Sequence, residues 1–161
     1  MANEKADLTV PSEKFTKYSF REEDIVGGEG RLLPKLFGSG SGMRRFATPP
    51  DQALRAGFTR VRPGQSIKTY FWYKEIWYVI GGSATMDVHD KRTGEKQKVK
   101  LAPKDAIYYP EGVRIDLQND TDSDLYFLYC AVPASRRDAP WLAAMDEEDL
   151  NDVRIREEYH P

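Results

Sequence analysis

The sequence has little cysteine, histidine or net charge, and each shortage excludes a class of protein. Its 161 residues include one cysteine, Cys130, and two histidines, His89 and His160. A single cysteine excludes a disulfide within the chain, so we expect a cytoplasmic protein. Lys and Arg number 24 against 26 Asp and Glu, a net charge of −2. This balance gives no general attraction to nucleic acid or to an anionic membrane, and we expect neither as a partner.

Long apolar runs are also missing. No segment approaches the roughly 20 apolar residues that a bilayer-spanning helix needs, and the first ten residues lack the apolar stretch of a signal peptide. The length fits one domain with a substantial core. We therefore expect a single globular domain whose ligand is a small molecule.

Short segments rich in Val, Ile, Tyr, Phe and Trp alternate with turn residues from position 43 onward. Their spacing is typical of strands in a sandwich or barrel. The predicted strands are 43–47, 54–62, 67–73, 76–80, 84–90, 97–101, 106–109, 114–117 and 125–132. The sequence thus predicts an all-β, antiparallel fold.

The two ends differ from this β-rich region. We interpret residues 1–42 as a polar N-terminal arm with glycine-rich connectors, 43–133 as the barrel, and 134–161 as a C-terminal helix and tail. Asp138 is suited to cap a helix, and Pro140 falls in its first turn. Trp141, Leu142 and Met145 then share one helical face. This pattern predicts a short helix packed on the barrel or on a partner subunit.

Two motifs resemble those of the cupin superfamily. The first runs from Gly64 to Gly82, with Glu75 in the family's glutamate position, whereas Tyr70 and Trp72 fall where the family has histidines. The gap from Trp72 to Glu75 is one residue shorter than the family spacing.

The second motif spans 104–119. Pro110, Gly112 and Asn119 match it, Lys104 replaces its leading glycine, and Ile115 stands at the third histidine position. Together the motifs cover about 64–119. The resemblance implies an antiparallel double-stranded β-helix, the RmlC-like jelly-roll barrel of cupins, with a central pocket.

The resemblance implies that the missing histidines would be ligands of the metal that most cupins hold. Of the implied ligand set only Glu75 remains, because Tyr70, Trp72 and Ile115 replace the three histidines. Indole N–H is a donor only and cannot ligate a metal. We therefore expect no metal and no other cofactor. The remaining alternative is a site formed by Glu75, Asp116 and His89.

The pocket should therefore use other groups. If Tyr70 and Trp72 face inward, strand alternation places Lys68 on the same side. We expect Glu75 to act as acid or base, Tyr70 and Tyr108 to hydrogen-bond an oxyanion, and Lys68 to give electrostatic support. A carboxylate enclosed by aromatic rings is desolvated, which suits proton transfer. The residues predicted to bind the ligand are Trp72, Trp77, Arg60, Arg62, His89 and Ile115.

Each assignment has a structural alternative. Glu75 would form an ion pair with Lys68 or Arg60 if its role were structural. Tyr70 and Trp72 would then be core residues. His89 would lie on the surface, and Arg60 and Arg62 would form a solvated face.

Three functions remain open from the sequence. The first is a metal-independent lyase or isomerase that performs acid/base chemistry on a small organic acid or aromatic metabolite: isomerisation, dehydration, cyclisation or decarboxylation. The second is a non-catalytic cupin that binds a small ligand. The third is a metal-dependent cupin dioxygenase. The resemblance also implies a homodimer, in line with the frequency of twofold assemblies.

Overall fold

The described part of the chain consists mainly of nine antiparallel β-strands. The computed structural model describes residues 19–24, 42–47, 54–132 and 147. The strands are β1 (Gly42–Ala47), β2 (Arg55–Val61), β3 (Ser66–Phe71), β4 (Lys74–Gly81), β5 (Ala84–Asp90), β6 (Lys96–Leu101), β7 (Ala106–Tyr109), β8 (Val113–Gln118) and β9 (Leu125–Val132). A short 3₁₀ helix, Glu22–Asp24, precedes them. All nine strands correspond to those predicted, and the all-β fold is confirmed.

The strands form two sheets. The five-stranded sheet has the order β1-β2-β9-β4-β7, and the four-stranded sheet has the order β3-β8-β5-β6. Every pairing within both sheets is antiparallel. Strands distant in sequence lie side by side, as in a jelly roll. The predicted C-terminal helix lies outside the described residues.

Alternation along the strands places the core between the two sheets. In β4, Glu75, Trp77 and Val79 are buried while Lys74, Ile76 and Tyr78 are exposed. In β8, Val113, Ile115 and Leu117 are buried and their neighbours are only partly so. Because side chains of a strand alternate between faces, β4 and β8 each contribute every second residue to one shared interior. The main cluster of buried side chains draws on both sheets.

The turn between β4 and β5 depends on Gly82. This residue has φ of +79°, a conformation that glycine adopts without steric penalty. A Cβ at this position would lie 2.2 Å from the carbonyl oxygen of Asp124. The turn therefore packs directly against the backbone that leads into β9.

The described residues contain no helix long and apolar enough to cross a bilayer.

Candidate functional site

The inward face of β3 differs from the predicted one. Ile67 and Phe71 are fully buried in the main core, and Thr69 lies on the same face. Lys68 points outward, with 54% of its side chain exposed, and its Nζ lies 3.5 Å from a carboxylate oxygen of Asp116. The prediction that Lys68 faces the cavity is therefore wrong. Because Lys68 lies on the other face of β3 from the apolar Ile67 and Phe71, its charge is not buried.

Tyr70 and Trp72 are buried, but not in the main core. Tyr70 shares the face of Lys68, because alternate residues of a strand share a face. Both side chains belong to a second cluster, with Tyr73 and Ala131. Trp72 lies in the bend after β3, and its ring meets that of Tyr73 edge-on at 4.8 Å. The structure thus does not bring Tyr70 and Trp72 into the main core with Trp77.

Tyr109, not Tyr108, faces inward from β7. Tyr108 is 56% exposed, whereas Tyr109 is 2% exposed. The prediction that Tyr108 faces the interior is wrong, because its neighbour Tyr109 does so instead. β7 is only four residues long, and its inward positions are Ile107 and Tyr109, both in contact with the main core.

Glu75 is the carboxylate of the barrel interior. It is 8% exposed, and the indole Nε1–H of Trp77 donates a hydrogen bond to its Oε1 at 2.5 Å. The two residues are two positions apart on β4, so both side chains project to the same face. The indole therefore orients the carboxylate from within the same strand. Glu75 and Trp77 are brought together as the sequence predicted.

Aromatic rings surround this pair and hold the indole in place. Trp77 stacks on Phe127 with ring centroids 4.0 Å apart and meets Tyr109 edge-on at 4.8 Å. Phe71 stacks on Tyr109 at 4.4 Å. These contacts restrict the rotamers of all four rings, and Glu75 faces a rigid aromatic wall.

Tyr109 is the neighbour of Glu75 across the β4–β7 pair. Its hydroxyl lies 3.3 Å from the sulfur of Met86 and donates to it. Burial, and to a smaller degree the charge of Glu75, raise the pKa of Tyr109 well above its ordinary value of 10.0. Its phenol is therefore protonated at neutral pH, and its one hydroxyl hydrogen is donated to the sulfur of Met86.

The interior positions that correspond to the cupin histidines hold no set of metal ligands. Thr69 lies opposite Ile115 across the β3–β8 pair, and both point inward. Of the inward residues of β3, Thr69 and Phe71 lie nearest Glu75, and from Phe71 the spacing to Glu75 returns to the cupin pattern. Phe71 and Ile115 have no metal-binding atom, and one carboxylate with one hydroxyl at these positions does not fit a divalent metal.

The alternative metal site is not assembled either. Asp116 and His89 lie on the outer face of the four-stranded sheet, opposite Asp87 and Arg114 respectively, whereas Glu75 faces the interior. Within the described ranges, no group of three His, Cys, Asp or Glu side chains is placed to hold a metal ion.

The other predicted ligand-binding residues lie apart, except Ile115. Arg60 pairs with Tyr126 on the outer face of the five-stranded sheet, and Arg62 is exposed after β2. His89 lies beside Arg114 and Lys96, in a shallow groove of about 420 Å³ on the outer face of the four-stranded sheet. Ile115 alone joins Trp77 in the interior.

A small cavity adjoins Tyr109. It has a volume of about 170 Å³ and lies where β6 and β7, the last strands of the two sheets, approach each other. Its apolar wall consists of Met86, Val88, Val99, Ile107 and Val113. The phenol of Tyr109 is the polar group on its buried side.

Sequence reasoning missed three interior residues: Thr69, Phe71 and Tyr109. The sequence of β3 did indicate its inward face. The apolar Ile67 and Phe71 are an even number of residues apart and so share a face, and Lys68 lies on the other one. No such signal existed for β7, where Tyr108 and Tyr109 are identical neighbours.

Comparison with known proteins supports the fold. The sequence matches no family model and no curated protein. A predicted oxalate decarboxylase from Thermotoga maritima superposes with a TM-score of 0.56 and 17% identity, covering 73% of this chain and 100% of that one. The plu4264 protein of Photorhabdus luminescens gives 0.53 and 15%, covering 89% and 99%. The Cnp3 cupin domain of Schizosaccharomyces pombe gives 0.50 and 9%, covering 58% and 65%.

These likenesses, together with the two antiparallel sheets, define the fold. The chain has the cupin jelly-roll fold. At the interior positions that correspond to the histidines of the cupin motifs, it has Thr69, Phe71 and Ile115.

Proposed function

We propose that this barrel performs metal-independent acid/base chemistry on a small ligand, with Glu75 as the group that accepts and returns a proton. One observation carries the proposal: a buried carboxylate held by the Trp77 indole within an aromatic wall. A positioned, desolvated carboxylate is a common general base, because burial weakens its preference for the charged form.

Tyr109 takes the role that the sequence analysis gave to Tyr108. It is the cross-strand neighbour of Glu75, and its raised pKa keeps the phenol protonated. In the isomerisation of a β,γ-unsaturated carbonyl compound, Glu75 would accept a proton from the carbon between the carbonyl and the C=C bond. The carbonyl oxygen would take up the electron pair and receive the hydrogen bond that Tyr109 otherwise donates to Met86. Return of the proton at the γ carbon moves the C=C bond and completes the step without an oxidant.

Proton exchange in D₂O tests this function without knowledge of the natural substrate. The wild-type protein is incubated with a panel of small neutral ketones and aldehydes, and loss of the C–H signal is followed by ¹H NMR. We expect catalysed exchange for at least one compound. Glu75→Gln, which keeps an acceptor for the indole, should lower the rate by at least about 100-fold.

A matched control is Asp87→Asn, an exposed carboxylate on the outer face of the four-stranded sheet. It should exchange at the wild-type rate. Circular dichroism would verify that both variants fold. Undiminished exchange in a folded Glu75→Gln protein would refute the role of Glu75.

A second candidate is ligand binding without turnover. It is favoured by the apolar wall of the 170 Å³ cavity and by the outward position of Lys68 and Tyr108. The same panel separates the two functions. A compound that raises the melting temperature while its C–H signals persist in D₂O would support binding alone.

A further inference from the structure

The cavity beside Tyr109 opens between two strands that do not pair. β6 pairs with β5, and β7 pairs with β4, so the two strands belong to different sheets. No backbone ladder closes the gap between them, and the partly buried side chains of Val99 and Ile107 line it. On this side only side chains lie between the cavity and solvent. Moving them costs less free energy than breaking the backbone hydrogen bonds of a sheet.

The volume limits the size of an occupant. An apolar cavity of roughly 150 Å³ accommodates a benzene molecule. At about 170 Å³, this cavity fits one aromatic ring with one or two further atoms. Its wall combines Met86 and Tyr109 with aliphatic side chains, and its polar lining residues include Asp90, Glu95 and Gln97. Such a wall favours a ring or a compact aliphatic group over a sugar or a nucleotide.

The charges that line the opening disfavour a negatively charged ligand. Asp90 and Glu95 are among the lining residues of the cavity, and none of those residues is a lysine or an arginine. Asp90 is paired with Arg92, with Nη2 to Oδ2 at 2.6 Å. Glu95 forms no ion pair with any residue that the structure describes. A lining with an unpaired carboxylate and no basic side chain is unfavourable for an anion.

We propose that the ligand enters between β6 and β7 and is a compact, ring-sized molecule whose outer end is neutral or cationic, not a carboxylate. Tyr109 connects this cavity to the proposed acid/base site, whereas Glu75 is not among the residues that line it. The inference therefore goes beyond the proposed function and concerns what the cavity itself binds. The ring lies against Met86 and Val99, and an amine or hydroxyl points towards Glu95.

Three probes of nearly equal size test the class: benzylamine, benzyl alcohol and benzoate. The readout is the ¹³C-labelled methyl group of Met86, assigned by comparison with Met86→Leu. We expect benzylamine and benzyl alcohol to shift this resonance, with benzylamine binding about three- to tenfold more tightly than benzoate. Glu95→Gln should remove the preference for benzylamine over benzyl alcohol. Asp122→Asn, a remote exposed carboxylate, should leave it unchanged.

Two variants test the entrance. Val99→Trp should fill the opening and weaken binding of all three probes at least tenfold. If that variant does not fold, Val99→Ala serves instead, and should bind 4-methylbenzylamine more tightly, relative to benzylamine, than the wild type does.

The outcomes are distinct from those of the exchange experiment. Equal or tighter binding of benzoate at Met86 would overturn the ligand class and leave the catalytic role of Glu75 standing. If no probe shifted the Met86 resonance, both the ligand class and the entrance between β6 and β7 would be refuted. Binding at Met86 with no Glu75-dependent exchange would support the site and refute the proposed chemistry.

Discussion

At the scale of single residues, Asn119 connects two loops. Its side-chain Nδ2 donates to the carbonyl oxygens of Val61, at 2.8 Å, and Ser123, at 2.9 Å. Its Oδ1 accepts from the backbone N–H and the hydroxyl of Thr121. The residue is buried, so these hydrogen bonds have no replacement from bulk water. The asparagine of the second cupin motif is thus explained here by structure, not by ligand binding.

We predict that Asn119→Ala lowers the free energy of unfolding by about 2 to 4 kcal/mol, because it leaves buried donors and acceptors without partners. Urea denaturation followed by tryptophan fluorescence measures the change. Asp120→Ala, at the exposed neighbouring position, is the control and should change stability by less than about 0.5 kcal/mol. Equal effects of the two changes would contradict this account of Asn119.

At the scale of secondary structure elements, the turns constrain how the strands meet. Gly82 and Gly94 both have positive φ, +79° and +77°, but their surroundings differ. A Cβ at Gly82 would overlap the backbone of Asp124 and Leu125, whereas a Cβ at Gly94 would meet nothing within 4 Å. The first turn is limited by tertiary packing and the second only by local conformation.

This contrast predicts different costs for the same substitution. Gly94→Ala should destabilise the protein by about 1 to 2 kcal/mol, the cost of a left-handed conformation for an L-residue. Gly82→Ala should cost more than about 3 kcal/mol, because the β4–β5 turn must also move away from β9. Thermal and urea unfolding of both variants would test this. A similar loss in each would show that the overlap at Gly82 is relieved cheaply.

At the scale of the whole molecule, the buried phenol of Tyr109 links stability to alkaline pH. Its pKa is raised in the folded state, whereas the unfolded chain ionises near pH 10. Below pH 10 the phenol is protonated in both states and the slope is zero. Above it, the unfolded state releases the proton first, so stability falls as pH rises, by up to about 1.4 kcal/mol per pH unit.

Tyr109→Phe should therefore lose less stability between pH 9 and 11 than the wild type loses. Urea unfolding at several pH values gives the difference in slope. Tyr108→Phe, on the exposed face of the same strand, controls for the loss of one tyrosine. Parallel pH profiles for the wild type and Tyr109→Phe would contradict the burial of an uncharged phenol.

The outer face of the five-stranded sheet suggests how two copies would associate. Ile76, Tyr78 and Tyr108 are each between 44% and 56% exposed. Ile76 pairs with Tyr108 on one side and Cys130 on the other, so the exposed side chains are contiguous. On the outer faces of β4, β7 and β9, Lys74 is the single charged residue, although 31% of the chain is charged. We propose that a second copy covers this face about a twofold axis near β4, because an uncharged face best matches its own copy.

Light scattering coupled to size exclusion tests the homodimer. We expect the wild type to elute at twice the monomer mass at about 50 µM, and Tyr78→Asp to shift it to the monomer. Lys98→Glu, on the outer face of the other sheet, should remain dimeric. A monomeric wild type at this concentration would refute the assembly.

The sequence predicted the fold correctly, but it did not predict for every strand which side chains face inward. The positions of Glu75 and Ile115 in the cupin-like motifs predicted both as interior residues, which the structure bears out for their burial. In β8 the alternation of apolar and polar residues agrees with this, whereas β4 has no such alternation. Around the end of β3, by contrast, four aromatic residues follow one another at 70–73, so alternation alone could not decide which of them faces the core.

What the sequence by itself determined is the set of nine strands in the described residues, their turns, the cupin jelly-roll fold and the absence of histidine from the two motifs. These follow from local chemistry: β-branched and aromatic residues in short segments, and glycines where φ is positive. The tertiary structure alone decided that Tyr109 replaces Tyr108 and that Thr69 and Phe71 replace Tyr70 and Trp72 at the interior. Adjacent residues of a strand point to opposite faces of the sheet. Only packing against the second sheet decides which of them faces the interior.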